Sequence, residues 1–88
     1  RYTLLEHRAL TEWLPMAAAR GVGVMMGGPY NSGILATGPR PGAMWFYDPA
    51  PQDVLDRAAR IQAVCAVHGV RMVDAAFQFA LRHPAVVT

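Results

Sequence analysis

In Gly21-Val22-Gly23-Val24-Met25-Met26-Gly27-Gly28-Pro29-Tyr30-Asn31-Ser32-Gly33-Ile34-Leu35-Ala36-Thr37-Gly38, an apolar run of strand length passes straight into a glycine-rich turn. Residues 22–26 show no polar alternation, which predicts a strand covered on both faces, as in a parallel sheet. Glycines at the carboxyl end of such a strand let the backbone approach a ligand closely, because no Cβ intervenes. Successive free N–H groups in a turn of this kind favour phosphate oxygens, and the side chains of Asn31 and Ser32 are candidate additional donors. A plain glycine-rich connection between strand and helix accounts for the same composition equally well. The spacing is not Gly-x-Gly-x-x-Gly, and a phosphate loop with its lysine is excluded because the chain has no lysine.

Upstream, Tyr2-Thr3-Leu4-Leu5 is an apolar stretch of strand type. Residues 6–20 carry helix formers, with Leu10, Trp13, Leu14 and Ala17 at three- and four-residue steps. Thr11 is the expected N-cap, which leaves Pro15 near the first turn, where its missing N–H does least harm. Gly21 is placed to close the helix. Downstream, residues 27–52 hold no persistent helical or strand period, and a loop of this length in a compact protein is typically a lid or binding loop. Pro51 suits a first helical position. The helix that follows, running to His68, aligns Val54, Ala58, Ile61, Cys65 and His68 on one face, and Gly69 ends it. A second helix over residues 72–82 packs Val73, Ala76, Phe77 and Ala80, and Pro84 bars its continuation. Ala85-Val86-Val87-Thr88 reads as the start of another strand. Strands alternating with helices predict an α/β protein built from parallel βα units.

Hydrophobic residues make up 53% of the 88 and charged residues 16%, against roughly 25% charged in an average globular protein. Disorder is excluded by that balance, and so much apolar surface on so short a chain suits the interior of something larger. With an opening at Arg1 and no methionine before it, the expectation is a piece of a longer protein. One cysteine makes no internal disulfide, no apolar run reaches the roughly 18 residues of a membrane span, and no signal peptide is visible. A cytoplasmic setting without membrane attachment is therefore expected. The net charge is only +2 and the arginines are scattered from Arg1 to Arg82, so no basic patch points to nucleic acid.

Residues 21–38 resemble the seventh strand and following loop of aldo-keto reductases, whose members often read Tyr-Ser-Pro-Leu and then, two residues on, Gly-Leu-Leu-x-Gly. Arg1-Tyr2-Thr3-Leu4-Leu5 is similar to the end of that family's sixth strand, and Leu14-Pro15 with Arg20-Gly21 fits the helix between. Arg57-Ala58-Ala59-Arg60-Ile61, His68-Gly69-Val70, Ala75-Ala76-Phe77-Gln78-Phe79 and His83-Pro84 resemble its C-terminal helix pair. Gly-Gly-Pro-Tyr-Asn-Ser-Gly-Ile-Leu and the nearby Arg40-Pro41-Gly42-Ala43 are most similar to a subgroup of bacterial aldose, fucose and pyridoxal dehydrogenases. The resemblance covers the whole chain.

That resemblance implies an eight-stranded TIM barrel, which needs about 250 residues. Residues 1–88 would be its C-terminal third, from strand six to the start of strand eight. It further implies hydride transfer between NAD or NADP and the carbonyl of a small sugar or aldehyde, with the remainder of the barrel as partner. The first part of the 27–52 loop would meet the cofactor pyrophosphate through backbone groups of Gly28, Tyr30 and Ser32, with Asn31 and Gly33 adjoining. Gly27 stands where many members stack an aromatic ring on the nicotinamide. The family's catalytic aspartate, tyrosine, lysine and histidine fall upstream of Arg1, so the chain alone is expected to be inactive. The contacts that distinguish NAD from NADP fall mostly beyond Thr88.

Met44-Trp45-Phe46-Tyr47 admits two readings, a wall over the substrate formed by Trp45 and Phe46, or a cluster packed down to hold the loop; packing is the expected one. Cys65, on an apolar helix face, is expected to be a buried, inert thiol. His7, His68 and His83 lack metal-ligand spacing, and the last two suit helix ends as cations. Asp48, Asp53, Asp56 and Asp74 read as capping or solvated carboxylates. Two other functions fit the same residues: a non-catalytic βα module that associates through open sheet edges, or a phosphate-binding part of another barrel family.

Overall fold

The computed structural model describes residues 1–88. Thr3 sets the course of the chain at its start. Its hydroxyl accepts hydrogen bonds from the N–H groups of Leu5 and Glu6, both at 3.1 Å. Its own N–H and carbonyl exchange bonds with the carbonyl and N–H of Glu6. Residues 2–5 are therefore a tight turn and not the expected strand, because a local hydroxyl outcompetes a ladder partner for the backbone.

A short 3-10 turn, Arg8–Leu10, leads to helix α1, Trp13–Ala19. Thr11 does not cap α1: its hydroxyl donates to the carbonyl of Arg8 at 2.9 Å, and Glu12 takes the cap position without a side-chain bond. Pro15 falls in the first turn as expected. At the other end the N–H of Val22 reaches the carbonyl of Ala17 and that of Gly21 the carbonyl of Ala18, a Schellman closure. Gly69 and Val70 close the later helix in the same way, onto Ala66 and Cys65.

Residues 22–26 run extended, but regular pairing is confined to one parallel bridge, Val24 with Val86. The N–H of Val24 donates to the carbonyl of Ala85 at 2.7 Å, that of Val87 to the carbonyl of Val24 at 3.0 Å, and that of Met26 to the carbonyl of Thr88 at 2.8 Å. The predicted parallel partnership between the two apolar runs is thus present. The predicted cover on both faces is not, since Met25 is 78% exposed.

Between these two runs lies a helical crossover. Within residues 27–52 the chain forms helix α2, Ile34–Thr37, and an antiparallel hairpin of β1, Met44–Trp45, and β2, Asp48–Pro49. Elements of four and two residues are too short to leave a period in the sequence, which is why this segment reads as loop. Helix α3, Gln52–Val67, starts directly after Pro51, and helix α4, Met72–Leu81, leaves it at 96°. α3 buries Val54 and Ala58 and half-buries Ile61 and Cys65, while His68 lies exposed beyond that face. α4 turns in Met72, Ala76 and Ala80, with Phe79 partly buried beside them. Phe77, expected inside, points out, because the buried stripe follows the i, i+4, i+7, i+8 positions that start at Met72.

Two apolar clusters result. The larger joins Leu5, Ile34, Leu35, Ala43, Val54, Ala58, Met72 and Ala76, with Cys65 packed half-buried against it. The smaller joins Tyr2, Leu14, Ala85 and Val86, with Phe79 stacked on Tyr2 at 4.9 Å between ring centroids. Burial there pushes the Tyr2 phenol above its ordinary value, partly opposed by the Arg82 guanidinium. Just past α4, Nδ1 of His83 accepts from the N–H of Ala85 at 3.1 Å.

The chain exposes 5775 Å², where a self-contained protein of this mass exposes about 5,100 Å². Its radius of gyration is 13.6 Å against about 12 Å for a compact domain of this length. Much of the excess is apolar, including Trp13, Val22, Met25, Val67 and Val87. Leu35→Ala should cost about 2–5 kcal/mol in denaturant unfolding, since it empties a fully enclosed site. Met25→Ala should stay within about 0.5 kcal/mol in the isolated chain and become costly in any longer protein that covers this face.

Candidate functional site

Residues 28–33 fold back in a left-handed arc because four of the six take positive φ: Gly28 (62°), Asn31 (50°), Ser32 (59°) and Gly33 (99°). Glycine adopts this region freely, and asparagine tolerates it better than most residues. No atom lies within 4 Å of where a Cβ would stand on Gly27, Gly28 or Gly33, so that side of the arc is open. The N–H groups of Gly27, Gly28, Tyr30, Asn31 and Ser32 donate to no acceptor in the chain. The carbonyl of Tyr30, by contrast, accepts from Gly33 and Leu35, which anchors the arc onto α2. Fully buried Ile34 and Leu35 then fix α2 in the larger core.

The two polar side chains differ in what they offer. Asn31 is 1% exposed, its Nδ2 is committed to Glu6 Oε2 at 2.6 Å, and its Oδ1 has no partner. The expected side-chain donor is therefore spent, and what remains is a buried acceptor suited to a hydroxyl or amide hydrogen. Ser32 Oγ accepts from the N–H of Tyr47 at 3.2 Å and keeps its own proton to donate. Glu6 carries no motif and went unsignalled in the sequence; only the fold brings it to Asn31 across 25 positions.

The Ser32–Tyr47 bond brings the hairpin beside the arc. Trp45 is half-buried against the larger core, as packing predicts, whereas Phe46 is 47% and Tyr47 83% exposed. Trp45 and Phe46 meet edge to face at 5.0 Å, and the Arg1 guanidinium lies 3.8 Å over the Phe46 ring. Phe46 and Tyr47 both hold positive φ, 51° and 66°, the requirement of a type I′ turn that Asn-Gly meets without strain. Bulky residues in that conformation store strain and occur chiefly where function retains them.

Two concavities open elsewhere. One of about 900 Å³ runs between α1 and residues 22–27, and one of about 430 Å³ lies among Met26, Pro29, α4 and the final residues. The smaller borders the arc through Pro29 alone, the hairpin lines neither, and the larger follows the uncovered apolar face. Asp53 and Asp74 sit in the first turns of α3 and α4, and Asp74 pairs with exposed Arg71 at 2.7 Å.

The model of the aldo/keto reductase family matches residues 1–88. The chain is 42% identical over 87 residues to a pyridoxal 4-dehydrogenase of Microbacterium luteolum, covering 98% of this chain and 25% of that protein. It is 41% identical over 83 residues to a D-threo-aldose 1-dehydrogenase of a Pseudomonas species, covering 93% and 25%. The chain thus spans about a quarter of the length of these relatives. No solved structure matches it significantly.

Replacing Phe46-Tyr47 by Asn-Gly should raise thermal stability, by about 1 kcal/mol, through relief of the strained turn. A loss of stability in calorimetry would show that the two rings hold the hairpin.

Proposed function

The chain belongs to the aldo/keto reductase family, and from that premise we propose that it is the C-terminal part of a TIM barrel whose intact form transfers hydride between a nicotinamide dinucleotide and a small sugar or aldehyde. The observation that carries this reading is the open arc at residues 28–33, with its unclaimed N–H groups at the end of the extended run 22–26. Backbone donors on a glycine arc suit the oxygens of a pyrophosphate. The donor set fits the dinucleotide in a second respect: the orphaned Asn31 Oδ1 needs a hydroxyl or amide hydrogen, which the ribose and carboxamide groups of such a cofactor carry.

On this reading Gly28, Tyr30 and Ser32 hold pyrophosphate oxygens by main-chain N–H, Ser32 adds its hydroxyl, and Asn31 and Gly33 shape the arc. Gly27 leaves the space beside it free where an aromatic ring would otherwise stack. Phe46, with Trp45 behind it, forms the wall on the substrate side. When bound, the dinucleotide supplies the hydride chemistry, while the protein supplies orientation and electrostatics. No residue of this chain is assigned a proton-transfer role, which falls to residues outside the 88. The choice between NAD and NADP also rests on residues outside it.

The parallel contact of Val24 with Val86 around a helical crossover supports the barrel reading. So does the exposed apolar face from Trp13 to Met25, which the preceding strands and helices of a barrel would cover. That face also favours a second reading, a module that associates through its open edge, and both are tested together. The isolated 88-residue chain should show no turnover of aldoses or pyridoxal with NAD or NADP, and should elute above monomer size in gel filtration. Robust turnover would overturn the partial-barrel assignment, and a stable monomer would count against both readings.

A further inference from the structure

Glu6 is the partner of the most deeply buried side chain in the arc, and its position is held from several directions. Its N–H bonds to the carbonyl of Thr3 at 3.2 Å and to the hydroxyl at 3.1 Å, and its carbonyl accepts from the N–H of Thr3 at 2.9 Å. From α3, the Arg57 guanidinium donates to the adjacent carbonyl of Leu5. The Glu6 carboxylate is thus carried on a braced turn, and Asn31 Nδ2 donates to it at 2.6 Å. A hydrogen bond to a carboxylate is stronger and more directional than one between neutral groups. It also fixes the rotation of the amide, since the opposite orientation would set Asn31 Oδ1 against a negative oxygen. Apart from this bond, side-chain hydrogen bonds tie the arc only to the adjoining α2, where the Thr37 hydroxyl donates to the carbonyl of Gly33 at 3.2 Å, and to the exposed hairpin, where Ser32 accepts from Tyr47. Arg1 lies 3.7 Å from the same carboxylate oxygen, a looser contact on the solvent side.

We propose that Glu6 is a positioning residue for dinucleotide binding: through Asn31 it locks residues 28–33 in the left-handed course that turns their N–H groups outward. The inference rests on the dinucleotide reading of the arc. It assigns a role in that site to a residue 22 or more positions before it in the chain, which makes no contact with the ligand itself.

The test uses the full-length protein that carries these residues, with two readouts: affinity for NAD and for NADP by calorimetry, and amide exchange at Gly33, Ile34 and Leu35 in the ligand-free protein. Those three N–H groups bond to the carbonyls of Tyr30 and Asn31 and so report whether the arc holds its shape. Glu6→Ala should weaken dinucleotide binding roughly ten- to a hundred-fold and speed exchange at those amides. Glu6→Gln keeps an acceptor oxygen and should stay within about threefold of the parent. Asn31→Asp should fail as Glu6→Ala does, by facing two carboxylates. The double variant Glu6→Gln with Asn31→Asp exchanges donor and acceptor at unchanged net charge, and should recover most of the lost affinity. Parent-like binding and exchange in Glu6→Ala would overturn the proposal, as would a double variant no better than Asn31→Asp alone. Should Asn31→Asp not fold, the contrast between Glu6→Ala and Glu6→Gln decides. A parent protein that binds neither dinucleotide would sink the reading of the site instead, while exchange in Glu6→Ala would still report on the tie.

Discussion

The turn that Thr3 closes onto Glu6 is the contact on which the rest of the chain depends. It sends Tyr2 into the smaller cluster, against Phe79 and Val86, and Leu5 into the larger one, among Ile34, Val54 and Met72. It receives Arg57 from α3 and Asn31 from the glycine arc. A single hydroxyl, by accepting two backbone N–H groups, therefore couples both cores to the glycine arc. Were residues 2–5 a free strand, neither Glu6 nor Leu5 would be held where Asn31 and Arg57 meet them.

A second constraint is the shortage of cover. Only 16 of 88 residues are buried, 12 of them in the two small clusters, and the face from Trp13 to Met25 and out to Val87 stays open. The low charge of the sequence and the large exposed area are the same fact seen twice: apolar side chains are present in the proportion that a larger body would bury. Membership of a family whose relatives are about four times as long gives that excess a natural destination, in strands that would flank the extended run 22–26.

What was legible in the sequence followed from signals that repeat or punctuate. The periods of α3 and α4, the glycines that close α1 and α3, and the parallel pairing of two apolar runs all have such signals, and each is present in the fold. No strand forms at residues 2–5 because Thr3 bonds locally, and Phe77 faces outward because one residue of phase separates it from the buried stripe. α2 and the hairpin are too short to leave a period in the sequence. Within the site, the glycine arc and its residues stood out by composition and resemblance. Glu6 did not, because its role depends on a contact 25 positions away that no local pattern encodes.

An arc of unclaimed backbone donors, held at its centre by Asn31 and bordered by a strained aromatic turn, thus sits on a body more exposed than a compact domain of its size. We propose that these donors meet a dinucleotide pyrophosphate. Residue-resolved amide exchange at Gly28, Tyr30 and Ser32 in the full-length protein, with and without saturating NAD or NADP, tests it most directly. The account predicts fast exchange in the free protein and marked slowing at those three amides when dinucleotide is bound. Saturated binding with their exchange unchanged would contradict it.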